Sequence, residues 1–326
     1  MMIAWLFPGQ GSQAVGMGKD LVESSAAARD VFARADAALG EPISKLILEG
    51  PEEELTLTAN AQPALVTTSI AILAAIRERY PELPRPRFAA GHSLGEYSAL
   101  VAAGALTFED AVRLVRARGK AMQEAVPPNA GTMAAIMGVE SDVLEKVCRE
   151  ISDELGQIVS CANYNAPGQI VIAGSAAAVQ RASDVARERM RELPNGSRSS
   201  SIPLRVSAPF HCALMAPAAK VVADELAKIE VKPLDFPVVA NVDARPNADS
   251  SRIKELLVRQ VDGAVRWEQA VRLMHMEGIT HAIEIGPGKV LAGLCRRTAK
   301  EIKVISVGDR TGLDALAGFL APQAAA

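Results

Sequence analysis

The sequence has no excess of basic residues: 35 Lys and Arg stand against 38 Asp and Glu, a formal net charge of −3. Such a balance gives no global attraction to nucleic acid or to an anionic membrane, although it leaves room for local basic patches. Cysteine is scarce too. Cys148, Cys161, Cys212 and Cys295 are widely spaced and form no C-x-x-C pair. That argues against a disulfide framework and leaves a metal without a ligand cluster, so four small buried or half-buried hydrophobes are expected. The opening residues Met1-Met2-Ile3-Ala4-Trp5-Leu6-Phe7 carry no basic leader and stop at Pro8-Gly9, so no signal peptide is expected. Apolar runs meet polar residues before reaching about 18 residues, the length a membrane span needs. Also missing are the G-x-x-x-x-G-K-[ST] phosphate loop, the G-x-G-x-x-G fingerprint and any repeat of about 20–50 residues. A soluble protein of a reducing cytoplasm is expected, with neither nucleic acid nor membrane as partner.

What is present is an ordinary globular composition, 49% hydrophobic and 22% charged, which excludes disorder. Strand-like and helix-like segments alternate, the pattern of an α/β protein with a mostly parallel sheet. Ile3–Phe7 reads as a buried strand and residues 61–77 as a long helix, with Pro63 tolerated in its first turn. Residues 88–90 read as a short strand, 94–103 as a helix, and 108–126 as a helix N-capped by Thr107 with Asp110 three residues on. The pattern then changes to strand 132–139, helix 141–154, strands 158–162 and 169–173 joined by a loop over 163–168, helix 176–193 and strand 198–204. That order is the ferredoxin-like βαββαβ unit. We therefore expect a large hydrolase-like catalytic domain of residues 1–127 and 204–326, with a ferredoxin-like small domain inserted at 128–203. After it, helices are expected at 213–229, 252–260 and 267–277, with strands at 237–241 and 280–285. The tail 321–326 is expected to fray.

Gly91-His92-Ser93-Leu94-Gly95 fits G-x-S-x-G between a short apolar strand and a helix. There the serine occupies a strained turn, and side chains on the flanking positions would strike the neighbouring backbone. The helix N-terminus offers unpaired N–H groups to an oxyanion, the Leu94 N–H first. An ordinary glycine-bounded turn is the competing explanation. A second oxyanion donor should come from a neighbouring strand-end loop, and the Gln10 N–H in Gly9-Gln10-Gly11-Ser12-Gln13 is the candidate; a simple tight turn is its rival.

A serine nucleophile needs a base, and the four histidines are His92, His211, His275 and His281. His92 adjoins the serine and should point away, His275 lies well inside a helix, and His281 begins a strand. His211 sits in a loop before a helix and is favoured over the others. No Asp or Glu stands out as a third triad member, which speaks against a simple esterase.

At about 100° per residue, Ala111, Leu114, Val115, Met122 and Ala125 form the apolar stripe of their helix, and Arg118 falls within it. A guanidinium there needs an anion. It pairs with a carboxylate of the protein or snorkels outward; alternatively, it clamps the free carboxylate of a substrate. Periodicity does not separate these readings.

Taken together, FPGQGSQ at 7–13, QPAL at 62–65, GHSLGEYSAL at 91–100, RGKAMQEA at 118–125, YNAPGQIVIAG at 164–174, FHCALM at 210–215 and EIGPGKVL at 284–291 resemble the malonyl-CoA:acyl carrier protein transacylases and the acyltransferase domains of fatty-acid and polyketide synthases. The resemblance implies ping-pong acyl transfer between malonyl-CoA and acyl carrier protein by a monomer, without cofactor or metal. It implies Ser93 as nucleophile, His211 as base then acid, and Arg118 as holder of the malonyl carboxylate. Gln10 and Leu94 would supply the oxyanion N–H groups, with Gln62 and Met122 against the acyl group. Gln260 would orient the histidine through its backbone carbonyl, which would explain the missing third carboxylate. Phe210 resembles the malonyl-type pattern, where methylmalonyl enzymes carry a smaller residue. The carrier protein is expected to be acidic, and Arg296, Arg297 and Lys300 are its candidate contact, with a solvated helix face as the plainer reading. A serine hydrolase and a non-catalytic docking protein are the alternatives.

Overall fold

Five consecutive apolar residues make β1 (Ile3–Phe7), and all five are buried, as expected of a strand covered on both faces. The computed structural model describes residues 1–192, 199–204 and 206–321. Four helices follow β1, namely α1 (Lys19–Ser24), α2 (Ala26–Leu39), α3 (Ile43–Glu49) and α4 (Glu52–Thr56), and then α5 (Thr58–Arg79). After these come β2 (Phe88–Gly91), α6 (Gly95–Ala102) and α7 (Phe108–Glu124). The middle of the chain holds β3 (Gly131–Met137), α8 (Ser141–Leu155), β4 (Val159–Ala166), β5 (Gln169–Ser175), α9 (Ala176–Glu192) and β6 (Ser200–Pro203). It continues with α10 (Ala216–Ala227), β7 (Val238–Val239), β8 (Pro246–Asn247), α11 (Ile253–Asp262) and α12 (Trp267–Met276). The last elements are β9 (His281–Ile285), α13 (Val290–Thr298), β10 (Lys303–Val307) and α14 (Arg310–Leu320).

The larger sheet has the order β10-β9-β1-β2-β7-β8 and is parallel except for β8 at its edge. β1 and β2 lie side by side with Phe7 opposite Gly91, so the loops leaving both strands emerge at one carboxyl end, where sites in such sheets gather. The second sheet, order β4-β5-β3-β6, is antiparallel throughout, and with α8 and α9 it has the ferredoxin-like arrangement. Its side chains alternate in their loyalties, as the two-residue period of a strand requires. Ala134, Ile136, Ile170 and Ile172 pack with α8 and α9, whereas Met133, Ala135, Val171 and Ala173 join the core of the larger body.

Several sequence expectations are corrected. The loop expected over 163–168 is mostly strand: β4 runs to Ala166, with irregular register around Asn163 and Tyr164. Asn163 bridges to Val265 and Asn165 bonds to His92, so polar residues that resemble loop chemistry lie in the strand with their partners outside the sheet. The long helix starts at Thr58, which moves Pro63 beyond its first turn. Proline has no N–H for the carbonyl of Ala59, and Arg116 Nη1 donates to that oxygen at 2.8 Å instead. This helix is also long and apolar enough to cross a bilayer, yet 83% of its apolar window is buried within the protein; it is a core helix. The helix expected from 213 opens as a 3-10 turn, Ala213–Met215, before α10. The strand expected at 237–241 shrinks to β7, and the helix expected to end at 260 runs to Asp262. Leu193 and Arg198, ends of an expected helix and strand, lie outside the described residues, as does most of the tail. Thr107 does cap α7, accepting from the Asp110 N–H at 3.1 Å, and all four cysteines are buried and free.

Candidate active site

Between β2 and α6 the chain turns so sharply that Ser93 takes φ = 49°, a left-handed conformation that costs a residue with a Cβ. The flanking glycines make the turn feasible. A Cβ on Gly91 would lie 1.8 Å from the Gly95 carbonyl carbon, and one on Gly95 would lie 2.0 Å from the Phe7 oxygen. Asn241, just beyond β7, holds the turn closed. Its Oδ1 accepts from the Ser93 N–H at 2.7 Å, while its Nδ2 donates to the Gly91 carbonyl at 2.7 Å.

His211 also carries a positive φ, 60°, and its ring stands between two elements. Nε2 lies 2.7 Å from Ser93 Oγ. Nδ1 lies 2.8 Å from the carbonyl oxygen of Gln260 and 3.2 Å from that of Gly263. A carbonyl only accepts, so the proton belongs on Nδ1 and Nε2 is left to receive the serine's. Burial, reinforced by the charge of Arg118, pushes the imidazole down to about 3, so the base is neutral throughout the physiological range. Two backbone carbonyls at the end of α11 occupy the place of a triad acid.

Arg118 is 1% exposed, so it does not snorkel. Its Nη1 donates to Gln62 Oε1 at 2.8 Å, and its Nη2 to Gln260 Oε1 at 2.9 Å and Ser93 Oγ at 3.0 Å. Its guanidinium carbon stands 5.4 Å from the centre of the Tyr97 ring. Every acceptor is neutral; no carboxylate among the described residues lies within 4.0 Å, and Arg118 Nε has no partner. Among the described residues, then, no direct ion pair satisfies this cation. Gly119 lets it approach, because a Cβ there would lie 2.6 Å from the Thr58 oxygen.

Ser93, His211 and Arg118 face a cavity of about 300 Å³ that is also lined by Gln10, Gln62, Leu94, Met122 and Phe210. The structure thus gathers the residues expected from sequence, with Gln260 just behind them. The backbone N–H groups of Gln10 and Leu94 donate to no group among the described residues. Gln10 is fixed through its side chain, whose Nε2 donates to Thr58 Oγ1 at 3.1 Å; that hydroxyl in turn lies 3.0 Å from Ser207 Oγ. A wider groove of about 1040 Å³, running between the end of α7 and the smaller sheet, shares Met133 and Val206 with the cavity.

The other histidines are elsewhere. His92 turns its Nε2 to Asn165 Oδ1 at 2.8 Å, His275 is exposed on α12, and His281 opens β9 with its Nδ1 2.9 Å from the Thr280 hydroxyl. Sequence reasoning missed Asn241 and Glu96. The first lies past a strand's carboxyl end, the same signal that favours a loop residue as catalytic. The second is a carboxylate in Gly95–Ala102, a helix otherwise built of apolar and small residues, and it parallels the misplaced charge that singled out Arg118.

Comparison with known proteins agrees with this geometry. The family model described as acyl transferase domain matches residues 4–319. A malonyl CoA-acyl carrier protein transacylase of Bacillus subtilis is 50% identical over 94% of this chain and 93% of its own. An acyl carrier protein S-malonyltransferase from Vibrio cholerae superposes with a TM-score of 0.90 at 44% identity, covering 97% of this chain and all of that one. A malonyl-transacylase solved with a type II PKS acyl-carrier protein gives 0.89 at 43% identity, covering 97% of this chain and 98% of its own. With matches that span almost its whole length, this chain belongs to the acyl transferase domain family, among relatives named malonyl CoA-acyl carrier protein transacylases.

Proposed function

We propose that this chain moves a malonyl group from coenzyme A to the phosphopantetheine thiol of an acyl carrier protein, in fatty-acid or polyketide synthesis, through an ester on Ser93. The observation that carries the reading is Arg118, a buried cation with no carboxylate within 4.0 Å among the described residues, whose Nη2 reaches Ser93 Oγ at 3.0 Å. An acyl group with a free carboxylate, placed on Ser93, would give it a directly bonded anion in place of neutral acceptors.

In the first half-reaction His211 Nε2 takes the hydroxyl proton as Ser93 Oγ attacks the thioester carbonyl. The oxyanion of the tetrahedral intermediate meets the N–H groups of Gln10 and Leu94. The C–S bond then breaks, and the coenzyme thiol leaves with the proton held by His211. In the second half the carrier thiol gives its proton to His211 and attacks the ester, and Ser93 recovers its hydroxyl. The acyl group passes between oxygen and sulfur without change of oxidation state, so the cycle as proposed uses neither cofactor nor metal. The wider groove beside the cavity gives the pantetheine arm an approach, and Phe210 and Met122 bound the acyl group on its apolar side.

Mass spectrometry after mixing with malonyl-CoA tests this. The expected outcome is malonyl on Ser93 that persists until holo carrier protein is added and then passes to its thiol. Rapid loss to water without dependence on carrier protein would make the chain a thioester hydrolase instead.

A further inference from the structure

Behind the clamp stands a second buried charge. Glu96, on α6, is 3% exposed. Its Oε2 accepts from Gln260 Nε2 at 2.7 Å and from the Asn241 backbone N–H at 3.1 Å. Both partners are already engaged with the reacting groups. Gln260 Nε2 also donates to the Ser93 carbonyl at 2.9 Å, its Oε1 accepts from Arg118, and its backbone oxygen holds His211. The Asn241 side chain holds the Ser93 N–H. One carboxylate therefore sits a single amide away from nucleophile, base and cation.

Glu96 does not itself line the acyl cavity. On its other side, together with Asn247, lie Leu100, Val238, Ala240, Ile253 and Leu256. The charged or titratable groups that face it are Arg118 from α7, Asp243 from the segment after β7, and Tyr97 from its own helix. Arg118 is the cation among them, and the two charges are held apart by the Gln260 amide that bonds to both.

This arrangement has a consequence when an acid docks. In a low dielectric a cation draws whichever anion is near, and within the protein that anion is Glu96, one amide away and not in direct contact. A malonyl carboxylate on Arg118 places a second negative charge one amide away, and like charges so placed raise each other's proton affinity. We propose that Glu96 is the resident counter-charge of Arg118 and a positioning residue of the site, and that it takes up a proton as the malonyl carboxylate docks. Its Oε1 can carry that proton while Oε2 continues to accept from Gln260 and Asn241, so the elbow and the base keep their places. Burial raises the Glu96 carboxyl to about 7, so it is mostly ionised only above neutral pH, and there the exchange is measurable. The inference rests on Arg118 as the carboxylate clamp.

The sign follows from linkage. Binding raises the proton affinity of Glu96, so malonyl-CoA binds best below pH 7 and more weakly as pH rises beyond it, by up to about tenfold per pH unit. Acetyl-CoA has the same phosphates but no acyl carboxylate, and it serves as the control. The experiment measures KM for Ser93 loading between pH 6 and 9 with both thioesters, in the wild type and in Glu96→Gln. The expected result is a malonyl KM that rises at least threefold from pH 6.5 to 8.5 in the wild type and stays flat in the variant, with acetyl flat in both. Calorimetry of malonyl-CoA binding to Ser93→Ala, in buffers of different ionisation heat, should show proton uptake at pH 7.5 and needs no Glu96 variant to fold. A wild-type slope retained in Glu96→Gln, or no proton uptake, would overturn the proposal. Failure of the wild type to form malonyl-Ser93 at all would instead remove the function on which it rests.

Discussion

A guanidinium in the interior loses several kcal/mol of hydration, and neutral acceptors return only part of it. Arg118 has three such acceptors and no carboxylate within 4.0 Å, so its interaction with an incoming carboxylate should be strong. Arg118→Ala should then lower malonyl loading of Ser93 by about 10²–10³-fold, corresponding to ~3–4 kcal/mol, within the range for truncating one partner of a buried charge pair. Acetyl loading should be spared or rise, since that acyl group has no use for the cation. Parallel rate measurements with the two thioesters check this; an equal fall in both would refute the clamp. At this scale much was legible. Ser93 stood out because its glycines are a steric requirement, His211 because the chain has few histidines, and Arg118 because its charge contradicts its helix face. Asn241 and Glu96 carried only a position past a strand and a charge on an apolar helix; their partners lie about 145 residues away along the chain, and no local pattern names those.

At the level of elements, the position of Arg118 depends on how closely α7 approaches α5. Gly119 permits that approach: its added Cβ would stand 2.6 Å from the Thr58 oxygen and 2.9 Å from the Ala59 Cα. Gly→Ala inside a helix normally gains up to about 1 kcal/mol from propensity. Here the obstructing atoms are backbone and cannot rotate away, so overpacking, at ~1–3 kcal/mol, should win. Gly119→Ala is expected to lower the melting temperature and, by shifting α7, to slow malonyl loading more than acetyl loading. A melting temperature at or above the wild type would show that the helices part without cost. Long periodic elements such as α7 were readable from sequence, whereas α1 to α4 and the end of β4 were not. α1, α3 and α4 have only 6, 7 and 5 residues, and β4 carries asparagines whose partners are His92 and Val265, so its composition answers to neighbours outside its own sheet.

Across the whole molecule, the two sheets meet at the elbow. The Tyr164 N–H donates to the Val265 carbonyl at 2.9 Å, the Val265 N–H to the Ala162 carbonyl at 2.8 Å, and His92 bonds to Asn165. We propose residues 128–203 as the inserted small domain and regard these bonds as its fastening to the catalytic body. Arg297 belongs to the same seam: it donates to the Pro167 carbonyl at 3.4 Å and to Gln169 at the β4–β5 turn. That commitment separates it from Arg296 and Lys300, which are exposed and remain the proposed contact for an acidic carrier protein. Exposed charges contribute about 0–1 kcal/mol each, so Arg296→Glu with Lys300→Glu should raise the KM for carrier protein by roughly 3–10-fold at low salt, the upper end allowing for repulsion after reversal. The effect should shrink as ionic strength shortens the screening length, and malonyl loading from coenzyme A should be unchanged. Arg297→Glu serves as the contrast, because it disturbs the turn as well as the charge and should also lower thermal stability. A carrier-protein KM that does not move at low salt would release this face from the docking role and leave it as a solvated helix end.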